Sequence, residues 1–182
     1  MKELSLNILD IAENSVHAHA DRIGISITEK EGLRTLTITD NGCGMPPEMV
    51  AAVTDPFTTS RTTRPVGMGI PLLKLAAEQA EGNFSIVSSQ GEEHGTRVSA
   101  SFKMDHIDCV PLGDIASTLV TLVQGSPDID FVFTYETDEG SKHIDTAEMR
   151  EILGPDVPLN SPAVLIWLAE AVNEPFGDIE NE

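Results

Sequence analysis

Aromatic side chains are scarce in this chain of 182 residues: six Phe, one Trp and one Tyr. So few rings make platforms for stacked bases improbable. Cysteine is scarcer still. Cys43 and Cys109 are too few for a disulfide framework, and the chain reads as a cytoplasmic protein. Positive charge is also short, with 11 Lys+Arg against 30 Asp+Glu and a net charge of −19. Electrostatic attraction to DNA, RNA or an anionic membrane is thereby disfavoured. No apolar run reaches the length of a membrane span. The acids Glu3, Asp10 and Glu13 do not suit a signal peptide. The expectation is a protein with no nucleic-acid and no membrane partner.

The acidity is unevenly placed. Residues 1–104 hold 9 Lys+Arg and 13 Asp+Glu, a net of 9 − 13 = −4; residues 105–182 hold 2 and 17, a net of 2 − 17 = −15. Such a shift marks a boundary between parts with different tasks. In the first part, Leu4, Ile8, Ile11, Ala12 and Ser15 recur at helical spacing as one buried stripe. Asn7, Asp10, Asn14 and His17 form a polar row on the same helix. Alternating Ile23, Ile25, Ile27 and then Leu36, Ile38 predict a hairpin turned at Glu31-Gly32. Pro46-Pro47-Glu48 opens a short helix to about Val53. A helix is expected over Gly67–Glu81, ended by Gly82. Strands follow at 84–88 and 96–102. Beyond Asp105 the pattern restarts, with helices predicted at 112–124, 146–153 and after Pro162, and strands at 129–136 and 142–144.

Four segments carry chemistry. In the first, Asp10 and Asn14 are i, i+4 and share a helix face. An amide oxygen there is an ordinary ligand for a divalent cation such as Mg2+ that keeps phosphate oxygens and water. The second is Asp40-Asn-Gly42-Cys-Gly44-Met45. Asn-Gly is a hairpin signal, but no second alternating strand follows, so the glycines suit close approach of backbone to a ligand. Asp40, just after a strand, can accept from an exocyclic amine. The third runs from Asp55 through Thr58, Thr59, Arg61 and Arg64 to Gly67-Met68-Gly69. It is a hydroxyl-rich loop ending in glycines at a helix start, where free N–H groups suit phosphate. The fourth is the turn Gly91–Gly95 leading into Thr96. His17 and His19 do not share a helix face, so a two-histidine metal site is not expected.

In order and spacing these segments resemble the Asn-containing helix, the D-x-G-x-G loop, the G-x-G lid and the G-T strand of the GHKL ATP-binding superfamily. That superfamily spans gyrase-type topoisomerases, heat-shock chaperones, sensor histidine kinases and mismatch-repair ATPases. The resemblance covers about residues 4–103, and the D-P-F…G-M-G-I wording is most similar to sensor histidine kinases. It implies an α+β protein: a two-layer α/β sandwich of the Bergerat type over 1–104, with a small α+β appendage over 105–182. It also implies ATP and Mg2+ as ligands. Asn14 would hold the metal, and Asp40 would select adenine. Gly42 and Gly44 would admit the base, and Thr96 would support Asp40 through its hydroxyl or a water. Gly67 and Gly69 would face the phosphates beneath a lid from Thr58 to Arg64. Met45, Thr58, Thr59, Arg61, Arg64 and Met68 count among the nucleotide-binding positions.

Two departures shape the functional reading. The water-activating glutamate of hydrolysing members is here Asp10, one methylene shorter. The phosphoacceptor helices of a sensor kinase are also not in evidence, because the ATP fold begins at once. The expectation is therefore a histidine kinase-like protein acting in trans on a separate protein. The alternatives are a slow ATPase or nucleotide-dependent switch, and a non-enzymatic ATP-binding interaction module. The acidic 105–182 region is expected to choose a protein partner with a basic surface. The chain also resembles stand-alone proteins associated with gene clusters for iron-only hydrogenases.

Overall fold

A computed structural model of the chain describes residues 3–55 and 68–176. In chain order the elements are α1 (Leu4–His17), β1 (Arg22–Lys30), β2 (Leu33–Asp40), α2 (Pro47–Val53), α3 (Gly69–Gln79), β3 (Phe84–Ser89) and β4 (Gly95–Lys103). They continue as α4 (Ile115–Gly125), β5 (Asp130–Thr137), β6 (Gly140–Asp145), α5 (Thr146–Leu153) and α6 (Pro162–Asn173). The six strands form one sheet in the order β3-β4-β2-β1-β5-β6. Every pairing is antiparallel except β1 with β5.

Alternation decides which sheet face is covered. Ile23, Ile25 and Ile27 of β1 are buried, as are Leu36 and Ile38 of β2, Val98, Ala100 and Phe102 of β4, and Phe131 and Phe133 of β5. On the same strands Ser26, Thr37 and Ser99 are only half-buried. The apolar set meets Leu4, Ile8, Ile11 and Ala12 of α1, Leu73 and Ala77 of α3, and Leu119 and Val123 of α4 in a single core. This is the two-layer α+β arrangement. Each buried Ile or Leu contributes about 1.5–3 kcal/mol. Exposed ion pairs such as Lys103–Glu81 are screened by water and add little, so the shared core dominates.

Residues 105–176 add β5 and β6 to that same sheet. β5 runs beside β1 with Phe131 opposite Ile23 and Phe133 opposite Ile25. The region also holds the start of α1, whose first N–H groups donate to Pro111 O and Leu112 O at 2.9 and 2.8 Å. Thr118 Oγ1 donates to Ser5 O at 3.1 Å. Among the described residues, no helix is long and apolar enough to cross a membrane.

Two element ends differ from the sequence expectation. α3 ends with Glu81, not Gly82, in the left-handed region (φ 53°). Gly82 serves packing instead, since a Cβ there would sit 1.7 Å from the Ser101 carbonyl oxygen on β4. The helix expected from residue 112 starts at Ile115, where Asp114 accepts from Ser117 N at 2.9 Å as its cap.

Candidate nucleotide site

The site is assembled where α1 ends, β2 ends and the glycine loop crosses between them. α1 stops at His17, and His19 takes the left-handed conformation (φ 60°) that turns the chain toward β1. Asn41, the first residue of the loop, pins the entry to β1: its Oδ1 accepts from Asp21 N at 2.8 Å and Arg22 N at 3.0 Å. Cys43 N then donates to Ala18 O at 2.9 Å, seating the loop on the end of α1. Gly42 is buried, and a Cβ on it would lie 2.8 Å from both Ala18 Cβ and Ala18 O. Gly44 (φ +72°) passes so close to β3 that a Cβ would fall 1.9 Å from Ser89 O. The loop's exit is fixed by Met45 N donating to Ser88 Oγ at 2.8 Å. His94 Nδ1 donates to Gly42 O at 2.7 Å.

Asp40 stands at the centre of this frame. Its Oδ1 accepts from Gly42 N at 2.9 Å and its Oδ2 accepts from Ser15 Oγ at 2.6 Å. The carboxylate is thereby oriented, with acceptor capacity left over on both oxygens. Thr96 faces Asp40 in the β2–β4 register, with its hydroxyl on Ser88 Oγ at 2.7 Å. The hydroxyl on Asp40 itself is Ser15's, a residue that the helical pattern assigns only to the buried stripe. A hydroxyl inside an aliphatic row is the signal, because a buried O–H needs a partner. Ser15→Ala is expected to loosen roughly tenfold a ligand that donates to Asp40, the effect of losing one charge-assisted hydrogen bond that orients the carboxylate. Nucleotide titration with a thermal melt as a folding control checks this.

Asp10 and Asn14 lie on the same helix as Ser15, and Asp10 adjoins the start of α3. Gly69, the first residue of α3, is buried, and a Cβ on it would come within 2.9 Å of Asp10 Cβ and 3.7 Å of Asp10 Oδ2. Among the described residues no side chain caps α3, and Pro71 has no N–H to give, which leaves the N–H groups of Gly69 and Ile70 for an anion. Among the described residues, no hydrogen bond engages the Asn14 amide. The neutral Asn14 oxygen, one turn from the Asp10 carboxylate on α1, fits the donor chemistry of Mg2+ carrying phosphate oxygens. Met68 is the exposed residue preceding α3. Thr58, Thr59, Arg61, Arg64 and Gly67, the expected lid and its first glycine, lie outside the described residues. The rest of the polar row diverges. Asn7 is buried with its Oδ1 unpartnered, while His17 is exposed and donates from Nδ1 to Glu13 O at 2.7 Å.

Comparison with known proteins gives a consistent picture. Residues 1–106 match the family described as "Histidine kinase-, DNA gyrase B-, and HSP90-like ATPase". A putative sensor histidine kinase, NtrY-like, of Rickettsia conorii is 26% identical over 109 residues, covering 59% of this chain and 18% of that protein. The match thus spans a small part of the relative's own length. Among solved structures, the N-terminal domain of a DNA repair protein aligns with a TM-score of 0.53 at 19% identity, over 80% of this chain and 52% of the other. The Aquifex aeolicus MutL ATPase domain, complexed with ADP, aligns with a TM-score of 0.50 at 14% identity, over 75% and 60%. Both structural likenesses are likenesses of fold. Since 80% of this chain exceeds residues 1–106, the first runs on into the second part.

Proposed function

Because the chain belongs to the histidine kinase-, DNA gyrase B- and HSP90-like ATPase family, whose domains bind ATP, we propose that it binds Mg–ATP at this site and phosphorylates a separate protein. The observation that carries the reading is the held carboxylate of Asp40, fixed by Ser15 and Gly42 N–H beside a loop that glycine alone lets approach α1 and β3. Asp40 accepts the adenine amino group. Guanine presents an oxo group there, which the carboxylate repels. The N–H groups of Gly69 and Ile70 receive phosphate oxygens. Asn14 would hold the Mg2+, and the ion would supply positive charge to offset that of the phosphates. That offset matters because Asp10 adjoins Gly69, so its carboxylate would repel phosphate oxygens received there.

Asp10 orients or polarises the group that receives the phosphoryl, with less reach than a glutamate. Water activation is correspondingly disfavoured, which supports transfer over hydrolysis. The acidic 105–182 region selects the protein acceptor, one with a basic surface. The test uses γ-labelled ATP with the full chain and its co-expressed proteins. Label is expected in a second polypeptide, and none with Asn14→Ala. Tight ATP binding with no labelled acceptor would remove the kinase reading.

One observation favours a second reading, a nucleotide-dependent switch. The helix bearing Asp10 and Asn14 is held at its other end by Pro111, Leu112 and Thr118, so a shift of α1 on nucleotide binding reaches the second part directly. Phosphate release that Asp10→Asn abolishes, without any labelled acceptor, would favour this reading.

A further inference from the structure

The second part carries a surface that the nucleotide site does not use. α6 buries Val164, Leu168 and Val172 and packs on α4. Its opposite row is outward: Ala163, Ile166, Trp167 and Glu170 are all exposed, with Ile166 at 61% and Trp167 at 52%. These positions are spaced i, i+3, i+4, i+7, so they form one face. The helix is well anchored. Lys142 Nζ donates to Val172 O at 2.7 Å, and Phe176 meets Tyr135 edge-on at 5.1 Å, with Lys142 over its ring. Ile166 and Trp167 are therefore displayed on a fixed scaffold. A scattered apolar residue needs no explanation. Adjacent Ile and the chain's single Trp on an anchored helix are another matter, since Trp is the residue most enriched where binding energy concentrates.

Charge identifies what covers this face. Residues 105–182 carry −15. Both cations of the region are engaged, Arg150 with Asp130 and Lys142 with Val172 O and Phe176. Glu170, in the same row as Ile166 and Trp167, makes no ion pair among the described residues. A second copy of this chain would bring the same negative field and be repelled, as would an anionic membrane. We propose that the Ile166–Trp167 face of α6 is the docking surface for a protein partner presenting an apolar face rimmed by Lys and Arg. This rests on the reading that the chain acts on a separate protein, and it holds whether that action is phosphoryl transfer or a switch. Trp167 and Ile166 supply the anchor, and Glu170 with the region's net negative charge supplies steering.

The single tryptophan makes the test local, because its emission reports on this face alone. The probes are an amphipathic Lys/Leu helical peptide and a counterpart of equal charge with Ser for Leu, each titrated onto the full chain. The Lys/Leu peptide is expected to shift Trp167 emission to the blue and to bind at least about tenfold more tightly than the Ser counterpart. The binding should weaken with added salt. Ile166→Asp should reduce it about tenfold while leaving ATP binding unchanged, so loss of docking and loss of the nucleotide site are separable. Equal binding of the two peptides would reduce the face to bare charge and overturn the proposal. So would an emission shift that survives Ile166→Asp, or a dimer in sedimentation that Ile166→Asp dissociates.

Discussion

Asp40→Asn is expected to weaken ATP binding by about 100-fold or more while the protein stays folded. The magnitude follows from the two hydrogen bonds that orient Asp40. Gly42 N donates to one oxygen and Ser15 Oγ to the other. In the asparagine variant, the remaining oxygen is held by the Gly42 N–H, because an amine there would face another donor. The new NH2 group then lies on the Ser15 side, where the hydroxyl can rotate to accept from it. The fold is preserved, but the site now offers a donor where the adenine amine arrives. A charge-assisted hydrogen bond is lost, worth about 1.5–3 kcal/mol, and a donor–donor contact is added. Sites built around a hydrogen bond discriminate strongly against the mismatched partner. The same change relaxes the exclusion of guanine, whose oxo group accepts from an amide. Isothermal titration of ATP and GTP on both proteins checks this: ATP falls sharply, and the ratio of ATP to GTP affinity shrinks. Unaltered ATP affinity would remove Asp40 from base recognition.

Gly44→Ala is expected to disrupt the loop and the nucleotide site together. Two costs act at this position. A left-handed φ of +72° costs an alanine about 1–2 kcal/mol. The added methyl also falls 1.9 Å from Ser89 O, so the loop must lift off β3. Lifting it breaks Met45 N–Ser88 Oγ and disturbs the Gly42 backbone that holds Asp40. ATP affinity should fall at least about tenfold, with a stability loss of about 2–4 kcal/mol. Gly32 separates the two costs. Its φ is similar, +76°, and nothing lies within 4 Å of its would-be Cβ. Gly32→Ala should therefore cost only about 1–2 kcal/mol, a drop in Tm of roughly 2–8 °C at this size, with ATP binding intact. If the two variants bound ATP alike, close approach of the loop to β3 would have no bearing on the site.

Local pattern made much of the fold legible. The α1 stripe, the β1–β2 hairpin and the short helix after Pro46-Pro47 follow from periodicity and turn chemistry over neighbouring residues, and they stand where the pattern puts them. The strand containing Phe131 and Phe133 was also legible as a strand. Its partner was not, because the parallel β1–β5 join links residues more than a hundred positions apart and no local signal marks such a pairing. Gly82 shows a different limit. A glycine after a helix suggests a cap, yet here it admits the backbone of β4, a contact that exists only after folding.

The candidate site divides the same way. Motifs name Asp40, the loop glycines, Asp10 and Asn14; in the structure Asp40 ends β2, the glycines form the loop, and Asp10 adjoins Gly69, with Asn14 one turn further along α1. Ser15 was hidden because it is in phase with Leu4, Ile8 and Ile11. A buried serine and a packing residue look identical in a periodicity pattern. Ser88 and His94, which fix the loop's exit and the Gly42 carbonyl, lie on β3 and the following turn, far from the loop in sequence. Their roles appear only when the sheet brings β3, β4 and the loop together.

The central claim is that α1 holds a magnesium-bound nucleotide through Asn14. Its most direct test is an ATP titration, with and without magnesium, on the wild-type protein and on Asn14→Ala. The wild type should bind ATP at least about tenfold more tightly when magnesium is present. Asn14→Ala should keep the metal-free affinity and lose that gain. Equal affinity of the two proteins in the presence of magnesium would contradict the account.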